Sequence, residues 1–142
     1  MQVHFSGHIT APLPQKVSES ELMARMPNEE RGCFVYSVRV EFPDYDLEVT
    51  FKTEILINET LSNNEARRVE AHEKRHFEDF RRLVRELKEN IESALENGHD
   101  HEIAKRLDWF DYDNCIARQR LHDEEGIIDY LPCIEPLSSR PM

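Results

Sequence analysis

The chain has 142 residues, 39% of them hydrophobic and 33% charged, with four Gly and seven Pro, which suits one folded domain and excludes a disordered or repeat-built chain. Lys and Arg number 18 against 29 Asp and Glu, and the formal charge of −11 argues against nucleic acid or an anionic membrane as a partner held by a broad basic surface. No stretch approaches the roughly 18 apolar residues of a transmembrane helix, and the opening MQVHFSGHITAPLP has neither the basic nor the apolar region of a secretory signal.

Residues 2–9 alternate, with Val3, Phe5 and Ile9 opposed to His4, Ser6 and His8, and predict a first strand that ends before Pro12 and Pro14. His4 and His8 read as polar residues of one sheet face rather than as ligands. Residues 15–32 are polar, with a short helix expected over SESELMARM, before Pro27 and Gly32. Residues 33–42 place Phe34, Tyr36, Val38, Val40 and Phe42 on one face, and residues 46–58 do the same with Leu47, Val49, Phe51, Ile55 and Ile57. The intervening PDYD has turn chemistry, so the two strands predict an antiparallel hairpin with one buried side.

Ser62-Asn-Asn-Glu65 is a capping box, and Leu61 stands where a hydrophobic staple would meet Ala66, so a helix should start near residue 63. No Pro or Gly interrupts it before Gly98, and Phe80, Leu83, Val84, Leu87, Ile91, Ala94 and Leu95 form its apolar stripe. A second helix is expected over 99–125, weakest at DWFDYDN (108–114), where Asp and Asn side chains compete for the backbone. After Gly126, GIIDYLPC is read as a short returning strand and 134–142 as a tail. Cys33, Cys115 and Cys133 lack CxxC spacing, which excludes a disulfide framework or a thiolate zinc knuckle and allows at most one internal disulfide. The expected fold class is α+β: a small antiparallel sheet packed on a long antiparallel helical hairpin. It forms a single domain over 1–142 with its core at about 33–126.

Inside the long helix stands His72-Glu73-Lys74-Arg75-His76, an HExxH sequence. Residues four apart lie one above the other on a helix, so both imidazoles can converge on one zinc ion. Glu73 is rotated by about 100° from His72, close enough to take the proton of a zinc-activated water as general base without ligating the metal. His72 and His76 also extend the line of Phe80, Leu83 and Leu87 and so face the core, where two unliganded histidines would be costly.

A catalytic zinc usually has three protein ligands, and the longer pattern HExxHxxGxxH fails because Asp79 and Arg82 occupy its Gly and His positions. If the helices reverse at Gly98, His72–His76 faces residues at about 120–124, with His122 central. Asp123, Glu124 and Glu125 are the alternative third ligands or could orient an imidazole. His99, His101 and Glu102 lie about 33 Å along the helix from His76 and read as a solvated helix start.

The strand pair, the capped helix with RRVEAHEKRHFEDF and the long return helix resemble the zincin superfamily of metallopeptidases. More narrowly, they are similar to a small bacterial family of uncharacterised, predicted zinc-dependent proteases, over about residues 33–126. The resemblance implies a zincin-like minimal domain, zinc as cofactor, His72 and His76 as ligands and Glu73 as the general base.

The function expected from the sequence is therefore zinc-dependent hydrolysis of an amide bond in a peptide or protein substrate. The 46–58 strand is the candidate edge for adding an extended peptide, and Tyr130, Tyr112 and Arg120 are candidate oxyanion partners. The rival expectation is a non-catalytic metal-binding or protein-interaction module, and the apolar stripe of the helices would also suit a homodimer. A soluble chain is expected, secreted or periplasmic if a signal has been removed.

Overall fold

Burial alternates along the longest strand of the molecule, and this alternation sets its layers. The computed structural model describes residues 2–27, 29–129 and 131–141. In chain order the elements are β1 (Val3–Ser6), β2 (Gln15–Val17), α1 (Glu19–Arg25), β3 (Gly32–Glu41), β4 (Leu47–Asn58), α2 (Asn63–Glu96) and α3 (Ile103–Glu124). Single 3-10 turns occupy Pro43–Tyr45 and Asp100–Glu102.

Leu47, Val49 and Phe51 of β4 are buried under the helices, whereas Glu48 and Lys52 are exposed. Farther along, Ile55, Leu56 and Ile57 are buried in succession, because both faces of the sheet are covered there. Val17 of β2, Leu22 of α1 and Cys33 of β3 close over Leu56, while Ile55 and Ile57 pack with Val69 of α2. A continuous apolar run in a strand is the sign of such two-sided burial.

All three other strands pair with β4. β3 pairs with it antiparallel from Gly32↔Ile57 to Glu41↔Glu48, but β1 and β2 join its other side in parallel. The sheet is therefore not the antiparallel one expected, since parallel partners need long crossovers that periodicity does not reveal. β4 is interior, which corrects its assignment as the edge for a peptide; among the described residues β3 pairs with β4 alone and keeps one open side. β1 is shorter than the alternation of 2–9 suggests. Gly7 ends it with φ of +86° and lies so close to Phe51 that an added Cβ would come within 1.9 Å of the Phe51 carbonyl oxygen.

The Ser62 hydroxyl accepts the Glu65 N–H at 3.3 Å and opens α2 at Asn63. Phe77, Phe80, Val84, Leu87 and Ile91 of α2 then meet Leu47, Val49, Phe51, Ile103 and Phe110 in the main core. α3 packs against α2, with Arg75 reaching Glu124 and Glu125 at 3.5 and 2.5 Å. The Asp- and Asn-rich stretch at 108–114 does not break α3. Asn114 bonds back to the Phe110 carbonyl one turn earlier, Asp111 accepts from Tyr36, and Asp113 pairs with Arg140, so these side chains have partners and do not displace the helical ladder.

No strand forms among the described residues of 126–133, contrary to expectation. Asp129 Oδ1 accepts the Leu131 N–H, and Arg118 and Gln119 donate to the Leu131 carbonyl, so side chains take the backbone groups that a ladder would have used. Cys133 is disulfide-bonded to Cys115, and beyond it Trp109 Nε1 donates to the carbonyls of Ser138 and Ser139. Among the described residues no helix is long and apolar enough to cross a membrane.

Candidate metal centre

His72 and His76 are one turn apart on α2, and His122 lies in the last turn of α3. The structure brings these three together: the Nε2 atom of His76 is 3.0 Å from Nε2 of His72 and 3.0 Å from Nε2 of His122. Among the described residues they form the single cluster able to offer three ligand atoms to one metal ion. Two ligands at about 2.0–2.1 Å from an ion in tetrahedral geometry stand about 3.3–3.4 Å apart, close to the spacing observed.

The hydrogen-bond partners of the rings bear on the chemistry. His122 Nδ1 donates to Asp129 Oδ2 at 2.9 Å, and His72 Nδ1 is hydrogen-bonded to the Glu125 carboxylate. In its neutral form, a ring whose Nδ1 hydrogen is held by a carboxylate presents a bare lone pair at Nε2. Both lone pairs point at His76, whose single Nε2 hydrogen could serve only one of them. His76 and His122 are buried, at 9% and 5% exposure, while His72 is half-buried. Burial, followed by the neighbouring His72 and His122, pushes the His76 pKa down to about 3; burial also lowers that of His122, against the opposing pull of Asp129. Three imidazole nitrogen atoms converging at one point are the donor set of a transition-metal ion.

Glu73 stands beside them, its Oε1 3.7 Å from His72 Nε2. Only 4% of the residue is exposed, and burial, reinforced by Glu29, pushes its pKa up to about 8 although the Phe34 backbone N–H bonds to its carboxylate. That N–H belongs to β3, so the open side of the strand runs past the carboxylate. Two hollows meet at the cluster. One, of about 240 Å³, is lined by Phe34, Tyr36, Glu73 and His76; the other, of about 610 Å³, has His72, Glu73 and His122 on one wall and Ile127, Ile128 and Leu131 on another.

The remaining sequence candidates are distributed elsewhere. Asp123 and Glu124 are exposed, and Glu125 engages His72 Nδ1 and Arg75 instead of joining the three nitrogen atoms. His99 and His101 are exposed as expected, but Glu102 is buried at the start of α3, with Lys105 3.9 Å away, which corrects its reading as solvated. His4 is exposed, and His8 packs against the rings of Phe5 and Phe51. Tyr112 packs on Trp109 and Arg120 lines a separate hollow beside Glu124, so neither reaches the imidazoles; Tyr130 lies outside the described residues.

Sequence reasoning missed Asp129. Its signal was Gly126, which ends α3 with φ of +68°. The Gly126 N–H donates to the Asp123 carbonyl and the Ile127 N–H to that of His122, a Schellman turn that folds the chain back over the last helical turn and carries Asp129 to the His122 ring. No known family, curated protein or solved structure matches the chain.

Proposed function

We propose that the chain is a zinc-dependent hydrolase, a metallopeptidase of zincin-like architecture, in which α2 and α3 act as an antiparallel helical hairpin holding the metal. The observation that carries this reading is the convergence of three Nε2 atoms next to a buried glutamate that ligates nothing. Three imidazoles leave a fourth position for water or substrate, the donor set of a catalytic rather than a closed structural zinc site. When bound, zinc supplies Lewis acidity that polarises a substrate carbonyl and lowers the pKa of water toward neutrality.

The chain's own residues divide the remaining work. Glu125 and Asp129 fix the tautomers of His72 and His122 through their Nδ1 atoms and increase their basicity as ligands. Glu73 serves as the general base: buried beside the three imidazoles, with Oε1 3.7 Å from His72 Nε2, it is placed to accept a proton from water and return it to a leaving amine. The open side of β3 supports docking of an extended peptide by strand addition, with Phe34 directly at the catalytic carboxylate.

The test combines metal content with turnover. Wild-type protein and Glu73→Gln should each bind one zinc ion, and only the wild type should cleave peptides from a mixed-sequence library. His72→Ala, His76→Ala and His122→Ala should each lose tight zinc binding while keeping most helical circular dichroism. A zinc-loaded wild type without cleavage would leave the metal-binding module as the function and remove the enzyme, and a Glu73→Gln variant that cleaves equally well would remove Glu73 as the general base.

A further inference from the structure

Ile127, Ile128 and Leu131 of the strap that follows α3 line the larger hollow, and among the described residues of 126–133 no strand pairs with the sheet. Its apolar residues anchor it weakly, since Ile127 is 43% and Ile128 72% exposed. Its ties to α3 include Arg118 Nε on Asp129 Oδ2 at 3.0 Å, His122 Nδ1 on the same oxygen at 2.9 Å, the Ile127 N–H on the His122 carbonyl, the bonds from Arg118 and Gln119 to the Leu131 carbonyl, and the disulfide from Cys133 to Cys115. Only the disulfide is covalent. The loop it closes, residues 115–133, contains His122, Arg118 and Asp129 together.

We infer that Asp129 is the positioning residue of His122 and that the Cys115–Cys133 disulfide keeps it in place, so that the metal centre weakens when the disulfide is reduced. The inference rests on the metal-binding part of the proposed function. With the strap clamped, Asp129 holds the proton of His122 on Nδ1 and aims Nε2 at the other two imidazoles. With the strap released, the chain beyond Gly126 gains conformational freedom and the carboxylate no longer has one place to be. The His122 ring can then place its hydrogen on Nε2, which removes the lone pair a metal needs.

Both sulfur atoms belong to half-buried residues, within reach of a small dithiol. One thiolate of the reductant attacks a cysteine sulfur, forming a mixed disulfide and expelling the other cysteine as a thiolate that takes up a proton. The second thiol of the reductant then closes on the first, releasing the remaining cysteine. Two electrons and two protons pass to the protein, and the dithiol leaves as its cyclic disulfide. The remaining thiol, Cys33, is buried in a different part of the fold under α1.

The experiment measures zinc affinity by competition with a chromophoric chelator. It compares the oxidised chain with chain reduced by dithiothreitol, capped with iodoacetamide and freed of reductant, so that the new thiols cannot themselves ligate. Reduction should raise the zinc Kd at least about tenfold, the lower range for losing an outer partner of a ligand. The Cys115→Ser/Cys133→Ser variant should match it without any reductant. Asp129→Asn should weaken the oxidised chain to a similar degree and make it insensitive to reduction, a coupling that general destabilisation would not produce. Asp113→Asn, which breaks the other tail ion pair, with Arg140, should change neither affinity nor redox response. The visible spectrum of the cobalt-loaded chain should change on reduction in wild type and stay unchanged in Asp129→Asn. Equal affinity of oxidised and reduced wild type, or full additivity of reduction and Asp129→Asn, overturns the inference while the metal centre stands. Failure of the oxidised wild type to bind zinc stoichiometrically overturns both.

Discussion

Glu73→Gln tests the buried carboxyl before any catalysis is measured. The substitution keeps size and shape, and the amide oxygen can still accept the Phe34 N–H, so what changes is the ability to ionise. In the metal-free protein the folded-state pKa is raised to about 8 from an ordinary 4.5, so between these pH values the native state holds a proton that the unfolded chain has released. Stability of the wild type is therefore fully present below about pH 4.5, declines as the pH rises, and stops declining above about pH 8. Each pH unit of that window is worth at most about 1.4 kcal/mol, giving a ceiling of about 4–5 kcal/mol. Water entry and local relaxation around an ionised carboxylate should reduce the realised loss to about 2 kcal/mol. Glutamine has no such decline. Urea denaturation of chelator-treated wild type and Glu73→Gln should thus give similar stabilities at pH 4.5 and a more stable variant at pH 8.5. Taking the difference between the two proteins cancels His76, whose lowered pKa acts in the opposite sense and costs both proteins stability as the pH falls below about 6.5. A difference that is the same at both pH values would refute the burial argument for the raised pKa of Glu73.

Two further predictions concern the scaffold. Phe80 is 1% exposed, with ring centroids 5.4 Å from Phe34, 5.4 Å from Phe51 and 4.9 Å from Tyr36, so Phe80→Ala should cost about 3–5 kcal/mol in urea denaturation; a cost below about 1 kcal/mol would mean this aromatic cluster is not the core. Burial pushes the Cys33 thiol up to about 12, so iodoacetamide at pH 8 should label it only in denaturant, and labelling of the native chain at the rate of a free thiol would show that α1 does not cover it.

What could be read from the sequence depended on how local its cause was. His72, Glu73 and His76 were legible because helical spacing alone places them, and Ser62 marked the start of their helix for the same reason. His122 was legible because two uninterrupted helices joined near Gly98 leave one imidazole at the height of His76. The parallel pairing of β1 and β2 was not legible: three residues of β2 and four of β1 carry too little pattern to specify a partner more than 40 residues away. The interior position of β4 followed from that omission, although its run Ile55–Leu56–Ile57 already indicated burial on both faces. Asp129 was missed because IID before a tyrosine looks like a strand, and only the turn at Gly126 and the bonds from Arg118 reveal where its carboxylate goes.

The way the site is assembled also constrains what a metal would do to the protein. α2 alone can offer His72 and His76, but the third nitrogen atom arrives only when α3 is packed, and its orientation only when the strap is closed over it. An unfolded chain therefore presents two ligands at most, so a metal ion at the three-histidine centre binds the native state preferentially and stabilises it by mass action. At a free concentration one hundred times the native Kd that stabilisation is about 2.7 kcal/mol, less whatever binding the unfolded HExxH segment retains. The same dependence explains why three imidazoles with facing lone pairs can be tolerated beside a core at all. Phe77, Phe80, Val84 and Leu87, on the turns of α2 that follow, hold the helix to the sheet through apolar contacts that do not require the metal. The cost of the polar cluster thus falls at one end of a helix whose other turns are already secured.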